Sequence, residues 1–216
     1  MRLPIILRRS LTALLGVALA ATVTLGVASV SGASSNRNFK VLPPSATPLG
    51  WSLDEMASAI ANFSASGNDP DYYPDTPFQI VYRRPGNHFT VRPGTFLYVK
   101  VFFTDDSDPV VGDWPADKAS AADYMFGRDQ FGGHDLFVEV DGVRTSLDDA
   151  GYIGGPVETP DSPDGSEHLI QIGAFVAPLT AGQHTIVVGG VFDGDAVLDL
   201  FGGPLVGHVE LTVTVE

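Results

Sequence analysis

The chain has no cysteine among its 216 residues. Disulfide bonds, thiol nucleophiles and thiolate metal sites are therefore excluded, and the folded state must be stabilised by its core. Positive charge is scarce as well, because 12 lysine and arginine residues stand against 26 acidic residues. A surface of this sign repels phosphate backbones, so nucleic acid is not a predicted partner.

Several motifs that mark common enzyme classes are also absent. The sequence has no nucleophile elbow, no Walker motif and no dinucleotide fingerprint, and its five histidines form no HExxH array. No catalytic or cofactor-binding residue can be assigned on this basis. The sequence favours a non-enzymatic protein, and an enzyme remains the alternative.

The N-terminal segment has the layout of an export signal. Paired arginines, Arg8 and Arg9, precede an uncharged run over 10–35 that ends in small residues. We predict a signal peptide over 1–33, cleaved after Ala33, which makes the protein secreted, either extracellular or periplasmic. An uncleaved membrane anchor and the twin-arginine export route are the alternatives. After cleavage the chain has nine basic and 26 acidic residues, a net charge of −17, and no predicted membrane span.

The remaining chain divides into a linker and one domain. Residues 34–50 are rich in serine, proline and asparagine, which predicts an extended linker, and 51–216 have the length of one domain with a sizeable core. Ser52 and Glu55 form a capping box, and the apolar spacing that follows predicts a short amphipathic helix over 53–62.

From residue 78 onward the apolar residues alternate with a period of two. Turn residues separate the alternating segments, and no long helical crossovers intervene, which predicts a mainly β protein. The expected fold is an antiparallel β-sandwich of immunoglobulin-like or jelly-roll-like type with one or two short helices besides the N-terminal signal helix, and a barrel is the alternative. The predicted strands are 78–83, 88–92, 96–103, 136–140, 143–145, 168–176, 183–192 and 207–215. The predicted core contains Phe96, Tyr98, Val99, Phe102, Ile170, Ile172, Ile186, Val188, Leu211 and Val213.

Three segments resemble a group of uncharacterised secreted bacterial β-sandwich proteins. The segment 89–99 is similar to their strand–turn–strand pattern TVPxGTxLFVPV, 137–142 to their VxVDG hairpin, and 177–186 to their PLxxGxHTI stretch. The chain departs from the pattern at Phe89, where those relatives often have cysteine, and keeps only Trp51 of a tryptophan-rich helix. The resemblance implies export and a β-sandwich, and it implies no activity.

Carboxylates cluster in the predicted loops. One long loop, 104–134, contains Asp105, Asp106 and Asp108 and a predicted short helix over 116–125. A second, 148–167, is also acidic. Calcium binds six to eight oxygen ligands, of which closely spaced aspartates supply two or three, so calcium is the only candidate cofactor. We place it first on Asp105, Asp106 and Asp108. A weaker candidate is the group Asp193, Asp195 and Asp199. The alternative is that these residues form turns.

Aromatic residues lie next to some of these acidic groups. Tyr72 and Tyr73 follow an acidic turn, and Trp114 lies in the first long loop. Exposed aromatic rings beside polar groups are typical of carbohydrate-binding surfaces, so these three residues are candidate ligand contacts. The alternative is that their rings pack on the core.

Three functions are compatible with these patterns. The first is a secreted, non-enzymatic binding or cell-envelope module that binds a glycan or protein through its long acidic loops, with calcium ordering one of them. The second is an extracellular polysaccharide hydrolase that uses loop carboxylates. The third is a structural envelope component that assembles through an exposed strand edge.

Overall fold

The structure, a computed structural model, describes residues 40–216. The predicted signal peptide over 1–33 and residues 34–39 of the predicted linker lie outside the described residues. Three α-helices are present in this part of the chain: α1 (Leu53–Ala65), α2 (Lys118–Phe126) and α3 (Asp195–Phe201). Among residues 40–216, no helix has the length and apolarity needed to cross a bilayer.

Residues 40–216 contain nine strands, which form two sheets. The strands are β1 (Gln79–Val81), β2 (His88–Val91), β3 (Leu97–Asp105), β4 (Gly133–Val140), β5 (Val143–Ser146), β6 (Ile153–Glu158), β7 (His168–Val176), β8 (Gly182–Phe192) and β9 (Leu205–Val215). Sheet A has the order β1-β3-β7-β6, and sheet B has the order β2-β9-β8-β4-β5. The prediction of a mainly β protein with two sheets is confirmed.

The prediction that both sheets are antiparallel is wrong. In sheet A the edge strand β1 runs parallel to β3, and in sheet B the edge strand β2 runs parallel to β9. The chain crosses from sheet A to sheet B at the turn between β1 and β2. Each of these short strands therefore pairs with a strand that is not its neighbour in sequence.

Helix α1 covers one face of sheet A, and its prediction is confirmed. The Ser52 hydroxyl accepts the N–H of Glu55 while the Glu55 carboxylate accepts the N–H of Ser52, so the helix begins at the predicted capping box. Most of its apolar side chains are buried, and Ile60 and Phe63 are fully buried. The helix packs against β6 and β7.

Strand β6 lies inside the predicted loop 148–167, so that part of the prediction is wrong. Its sequence contains Gly154, Gly155 and Pro156, which are rare in strands. Contact with α1 explains Gly154, because a Cβ atom there would lie 2.7 Å from the Leu53 carbonyl oxygen. The helix thus approaches the β6 backbone at a distance that no side chain permits.

Apolar side chains of both sheets and of α1 form one continuous buried cluster within residues 40–216. Most of the predicted core residues belong to it and are buried: Tyr98, Val99, Ile170, Ile172, Ile186, Val188, Leu211 and Val213. The other two, Phe96 and Phe102, are partly buried and pack against the cluster. Alternation and apolar runs along the strands therefore predicted which side chains are buried.

The two sheets are also connected by polar contacts at one end. Val41 forms a β-bridge with Val176 of sheet A. The ammonium group of the preceding residue, Lys40, donates to the Asp141 carboxylate in the β4–β5 turn of sheet B. Asp141 also accepts His184 Nδ1–H at 2.7 Å and the Thr185 N–H at 2.9 Å. Burial opposes ionisation of Asp141, but these hydrogen bonds outweigh it and lower its pKa to about 2.

We expect Asp141→Asn to destabilise the protein by about 1–2 kcal/mol at pH 7, a figure that allows for solvent screening of this partly exposed group. The carboxylate ionises near pH 3.8 when unfolded and near pH 2 when folded, so its contribution is present above pH 3.8 and is lost as the pH falls towards 2. Urea unfolding of the wild-type and variant proteins should show a smaller difference in the free energy of unfolding at pH 2.5 than at pH 7.

Asp135→Asn is the matched control for this experiment. Asp135 also has a positive φ, 52° against 49° for Asp141, but its side chain is 84% exposed. Its replacement should change stability by less than about 0.5 kcal/mol. Equal losses in the two variants would show that the contacts of Asp141 are not the cause.

Candidate functional site

The first predicted calcium cluster lies where the two long loops meet, and its carboxylates have partners in the protein. One Asp106 oxygen accepts the N–H groups of Glu167 and His168, and the other accepts His168 Nδ1–H at 2.8 Å. Asp105 accepts the Ser107 hydroxyl at 2.5 Å, while Asp108 is exposed. Asp106 thus fastens the end of β3 to the start of β7.

The electrostatic environment separates Asp105 from Asp106. Burial raises the pKa of Asp105, and the nearby Asp164 carboxylate raises it further, against the hydrogen bond from Ser107. Burial would also raise the pKa of Asp106, but the hydrogen bonds from Glu167 and His168 more than compensate and lower it. Asp106 is therefore held as a carboxylate, whereas Asp105 ionises less readily than an exposed aspartate.

The second predicted cluster lies at the junction of β8 and α3. Asp193 pairs with Arg128 at 3.1 Å, Asp195 lies 3.5 Å from the same guanidinium group, and Asp199 is exposed on α3. This segment was predicted to be a loop, and that prediction is wrong for residues 195–201, which form α3. Asp195 stands at the first position of the helix, where a negative charge is favourable.

No three histidine or acidic side chains of residues 40–216 are grouped so that they could hold a metal ion. Calcium binding at either cluster stays a prediction. At the first cluster, one oxygen of Asp105 and both oxygens of Asp106 already accept hydrogen bonds within the protein.

A cleft of about 280 Å³ lies beside the first cluster. The cleft is lined by Glu158, Glu167 and His168. Thr159 and Ser166 also line it, and both are buried. The Ser166 backbone carbonyl accepts the Thr159 hydroxyl at 2.7 Å. The cleft therefore presents two carboxylates and an imidazole whose Nδ1 is already engaged by Asp106.

Two of the three predicted aromatic contacts pack against the core. Tyr72 is half-buried on the apolar cluster, and Trp114 lies edge-on against Tyr124 with ring centroids 5.5 Å apart. Tyr124 is itself buried, and its hydroxyl donates to the Val111 carbonyl at 2.8 Å. Trp114 thus closes the apolar cluster under the first long loop.

Tyr73 has a different position, because it lines an open cleft of about 320 Å³. Tyr73 is 42% exposed. Its ring packs edge-on against the Phe63 ring, with 5.2 Å between the ring centroids. Its hydroxyl accepts Gln79 Nε2–H at 3.2 Å, and burial of this hydroxyl raises its pKa. The ring is therefore held in one orientation while part of it remains in contact with solvent.

The cleft of Tyr73 runs between the edge strands of the two sheets. Gln79 of β1 lines one side, while Thr90 of β2 and Arg92 line the other. No acidic side chain of the described part of the chain belongs to the lining, although acidic residues outnumber basic ones more than twofold in the full sequence. The cleft therefore combines a partly exposed aromatic ring with an amide, a hydroxyl and a guanidinium group.

Sequence reasoning identified only Tyr73 among these residues. Thr90 alternates with buried residues on β2, which was the available signal that it faces outward, whereas β1 gave no such signal because both residues after Gln79 are buried. Nothing in their spacing indicated that β1 and β2 stand at the edges of different sheets. Comparison of the chain with protein-family models, with curated proteins and with solved structures found no match.

Proposed function

We propose that the protein is a secreted, non-enzymatic binding module of the cell exterior, and that it binds saccharide in the cleft of Tyr73. The arginine-containing, apolar N-terminal sequence supports export. Tyr73 supports the ligand class, because a fixed, partly exposed ring can pack against the C–H face of a sugar while neighbouring polar groups bond its hydroxyls.

Arg92 favours saccharides that carry a negative charge. It is the charged residue of the lining, and a guanidinium group can bind a carboxylate through two hydrogen bonds. A saccharide that carries carboxylates, such as an oligouronate, should therefore bind more tightly than a neutral oligosaccharide of the same length. The acidic loops are less suited to this role, because Asp105 and Asp106 are already bonded within the protein.

We expect Tyr73→Ala to weaken binding of both saccharide types by about tenfold, the equivalent of about 1.4 kcal/mol. Arg92→Gln should weaken binding of the oligouronate alone. Isothermal titration of the purified protein with a matched pair of neutral and uronate oligosaccharides measures both effects.

Phe201→Ala is the control for Tyr73→Ala. Phe201 is similarly exposed, at 44%, but does not line the cleft. Its removal should leave saccharide binding unchanged. The proposal would be overturned if neither oligosaccharide bound the wild-type protein, or if Tyr73→Ala and Phe201→Ala had equal effects.

The polysaccharide hydrolase is a second candidate, and the cleft of about 280 Å³ favours it. Glu158 and Glu167 both line that cleft, and glycosidic cleavage commonly uses a pair of carboxylates. His168, oriented there by Asp106, could carry a proton. A hydrolase would release new reducing ends from the oligosaccharides during the titration, whereas a binding module would leave them intact.

A further inference from the structure

Strand β9 has an edge that its neighbours leave partly uncovered. β9 pairs with β8 along its whole length, from Leu205 to Val215, without a bulge. On its other side β2 pairs only with residues 212–215. The Asn87 side chain extends this cover to the Glu210 carbonyl, and 205–209 have no neighbouring strand on that side among the described residues.

Hydrogen bonds to β2 show which backbone groups face this edge. The N–H of Thr212 donates to the Asn87 carbonyl, and the N–H of Glu216 donates to the Val91 carbonyl. Since lateral direction alternates along a strand and β9 has no bulge, the even-numbered residues point their N–H and C=O groups away from β8. Val206 and His208 therefore each present a backbone donor and a backbone acceptor that have no partner within residues 40–216.

This edge lacks the features that protect the other edges. Strands β1 and β5 are short, with three and four residues, and β6 has an irregular register and contains Pro156. The uncovered part of β9 contains no lysine or proline, and Val206 is 64% exposed. Leu200 and Phe201 of α3 are also exposed, at 38% and 44%. An open strand edge with exposed apolar residues is a template for pairing with another chain.

We propose that this edge is a dimer interface, at which β9 pairs antiparallel with β9 of a second copy about a twofold axis through Gly207. In this register Val206 of each copy lies opposite His208 of the other. All four free groups on each chain then form hydrogen bonds between the copies. The two five-stranded sheets become one continuous sheet, and pairing uses up the open edge, so assembly stops at two copies.

Gly207 is suited to the position on the axis. Residues directly opposite in a non-hydrogen-bonded pair approach to about 4.5 Å between Cα atoms. A Cβ atom added to Gly207 would meet only the Gly190 carbonyl oxygen, at 3.9 Å, so packing within the monomer does not require glycine here. The missing side chain instead leaves room for the second copy.

The charge distribution favours a second copy over a basic partner. Residues 200–209 contain no lysine, arginine, aspartate or glutamate, although 26 acidic residues are present in the chain. Two identical acidic molecules repel one another, so they approach best where neither presents an acidic side chain. A basic peptide would be attracted to the acidic loops, and this uncharged strip offers it no partner for its charge.

Sedimentation equilibrium of the purified wild-type protein should give twice the monomer mass at high concentration, with dissociation on dilution. Association should tighten between 50 mM and 500 mM NaCl, because salt screens the repulsion between the acidic copies. Val206→Lys should raise the dimer dissociation constant at least tenfold, because each lysine would replace an apolar side chain opposite His208 of the other copy and lie diagonally across from the second lysine. Val143→Lys, an exposed position on the opposite edge strand of the same sheet, should leave the constant unchanged.

Val206→Pro gives an independent variant if the lysine affects folding. It removes the outward N–H of residue 206, which pairing with β8 does not use. Thermal unfolding of each variant checks that the fold is retained. A monomer at every concentration and salt, or equal weakening by Val206→Lys and Val143→Lys, would overturn the proposal.

Discussion

At pH 6, Lys100→Met is expected to be more stable than the wild-type protein by several kcal/mol. Lys100 is only 8% exposed, in the middle of β3 beneath the C-terminal end of α1. Its ammonium group donates to Ser64 Oγ at 3.0 Å and to Asn68 Oδ1 at 2.5 Å, and it lies 4.3 Å from the centre of the Phe103 ring. These partners are neutral, so the charge is not balanced by a carboxylate.

Burial lowers the pKa of Lys100 to about 7. The unfolded chain holds this proton up to about pH 10.5, so between pH 7 and 10.5 it binds more protons than the folded chain. The wild-type protein therefore gains stability from this group as the pH rises through that window. The free-energy cost of burying the charged ammonium group is fully present below pH 7. The gain between pH 7 and 9.5 is about 3 kcal/mol.

The advantage of Lys100→Met should shrink by that amount over the same window and reverse its sign near pH 9.5. There the wild-type lysine is mostly neutral and keeps its hydrogen bonds to Ser64 and Asn68, which methionine cannot make. Chemical unfolding of both proteins at pH 6, 8 and 9.5 measures the difference. Buried tyrosines such as Tyr98 have raised pKa values in both proteins, so their effect cancels in the comparison.

Lys118→Met controls for the loss of one positive charge from an acidic protein. Lys118 pairs with Asp54, and its side chain is 51% exposed. Its removal should cost less than about 1 kcal/mol. If Lys100→Met changed stability by the same amount at all three pH values, Lys100 would not be a buried amine with neutral partners and a lowered pKa.

The position of Lys100 shows where sequence reasoning reached its limit. In the sequence it is a single charged residue in an otherwise apolar strand, and that strand was predicted at nearly its observed bounds. Its burial depends on α1, which brings Ser64 to it from 36 residues away. Capping and periodicity predicted α1 but carry no information about which strands the helix crosses.

The same distinction applies to the missed strand and to the candidate site. β6 could not be predicted from local preference, because Gly154 is explained by contact with α1 and the register of β6 shifts between Gly154 and Val157. The cleft of Tyr73 requires β1 and β2 to be edges of different sheets, which depends on their parallel pairing with β3 and β9. Local patterns therefore predicted elements and inward faces, and long-range pairing determined the site.

Ile186→Ala is expected to destabilise the protein by about 2–5 kcal/mol, and it tests the inward faces directly. Ile186 is fully buried on β8, an interior strand of sheet B. It lies between Val140 of β4 and Leu211 of β9. Removing its three outer carbons leaves a cavity between two sheets that are held apart by their other side chains. The loss therefore includes the cavity as well as the transfer of the removed atoms.

Val187→Ala is the matched control, because it changes the next residue of the same strand. Val187 lies between Glu139 of β4 and Glu210 of β9 and is only half-buried, so its side chain belongs to the other face of the sheet. Truncating it removes fewer buried atoms and leaves no enclosed cavity, so we expect a loss below about 1 kcal/mol. Urea unfolding of the two variants at one pH gives the comparison. A larger loss for Val187→Ala than for Ile186→Ala would require the register of β8 to be shifted by one residue, because such a shift exchanges the two faces of the strand.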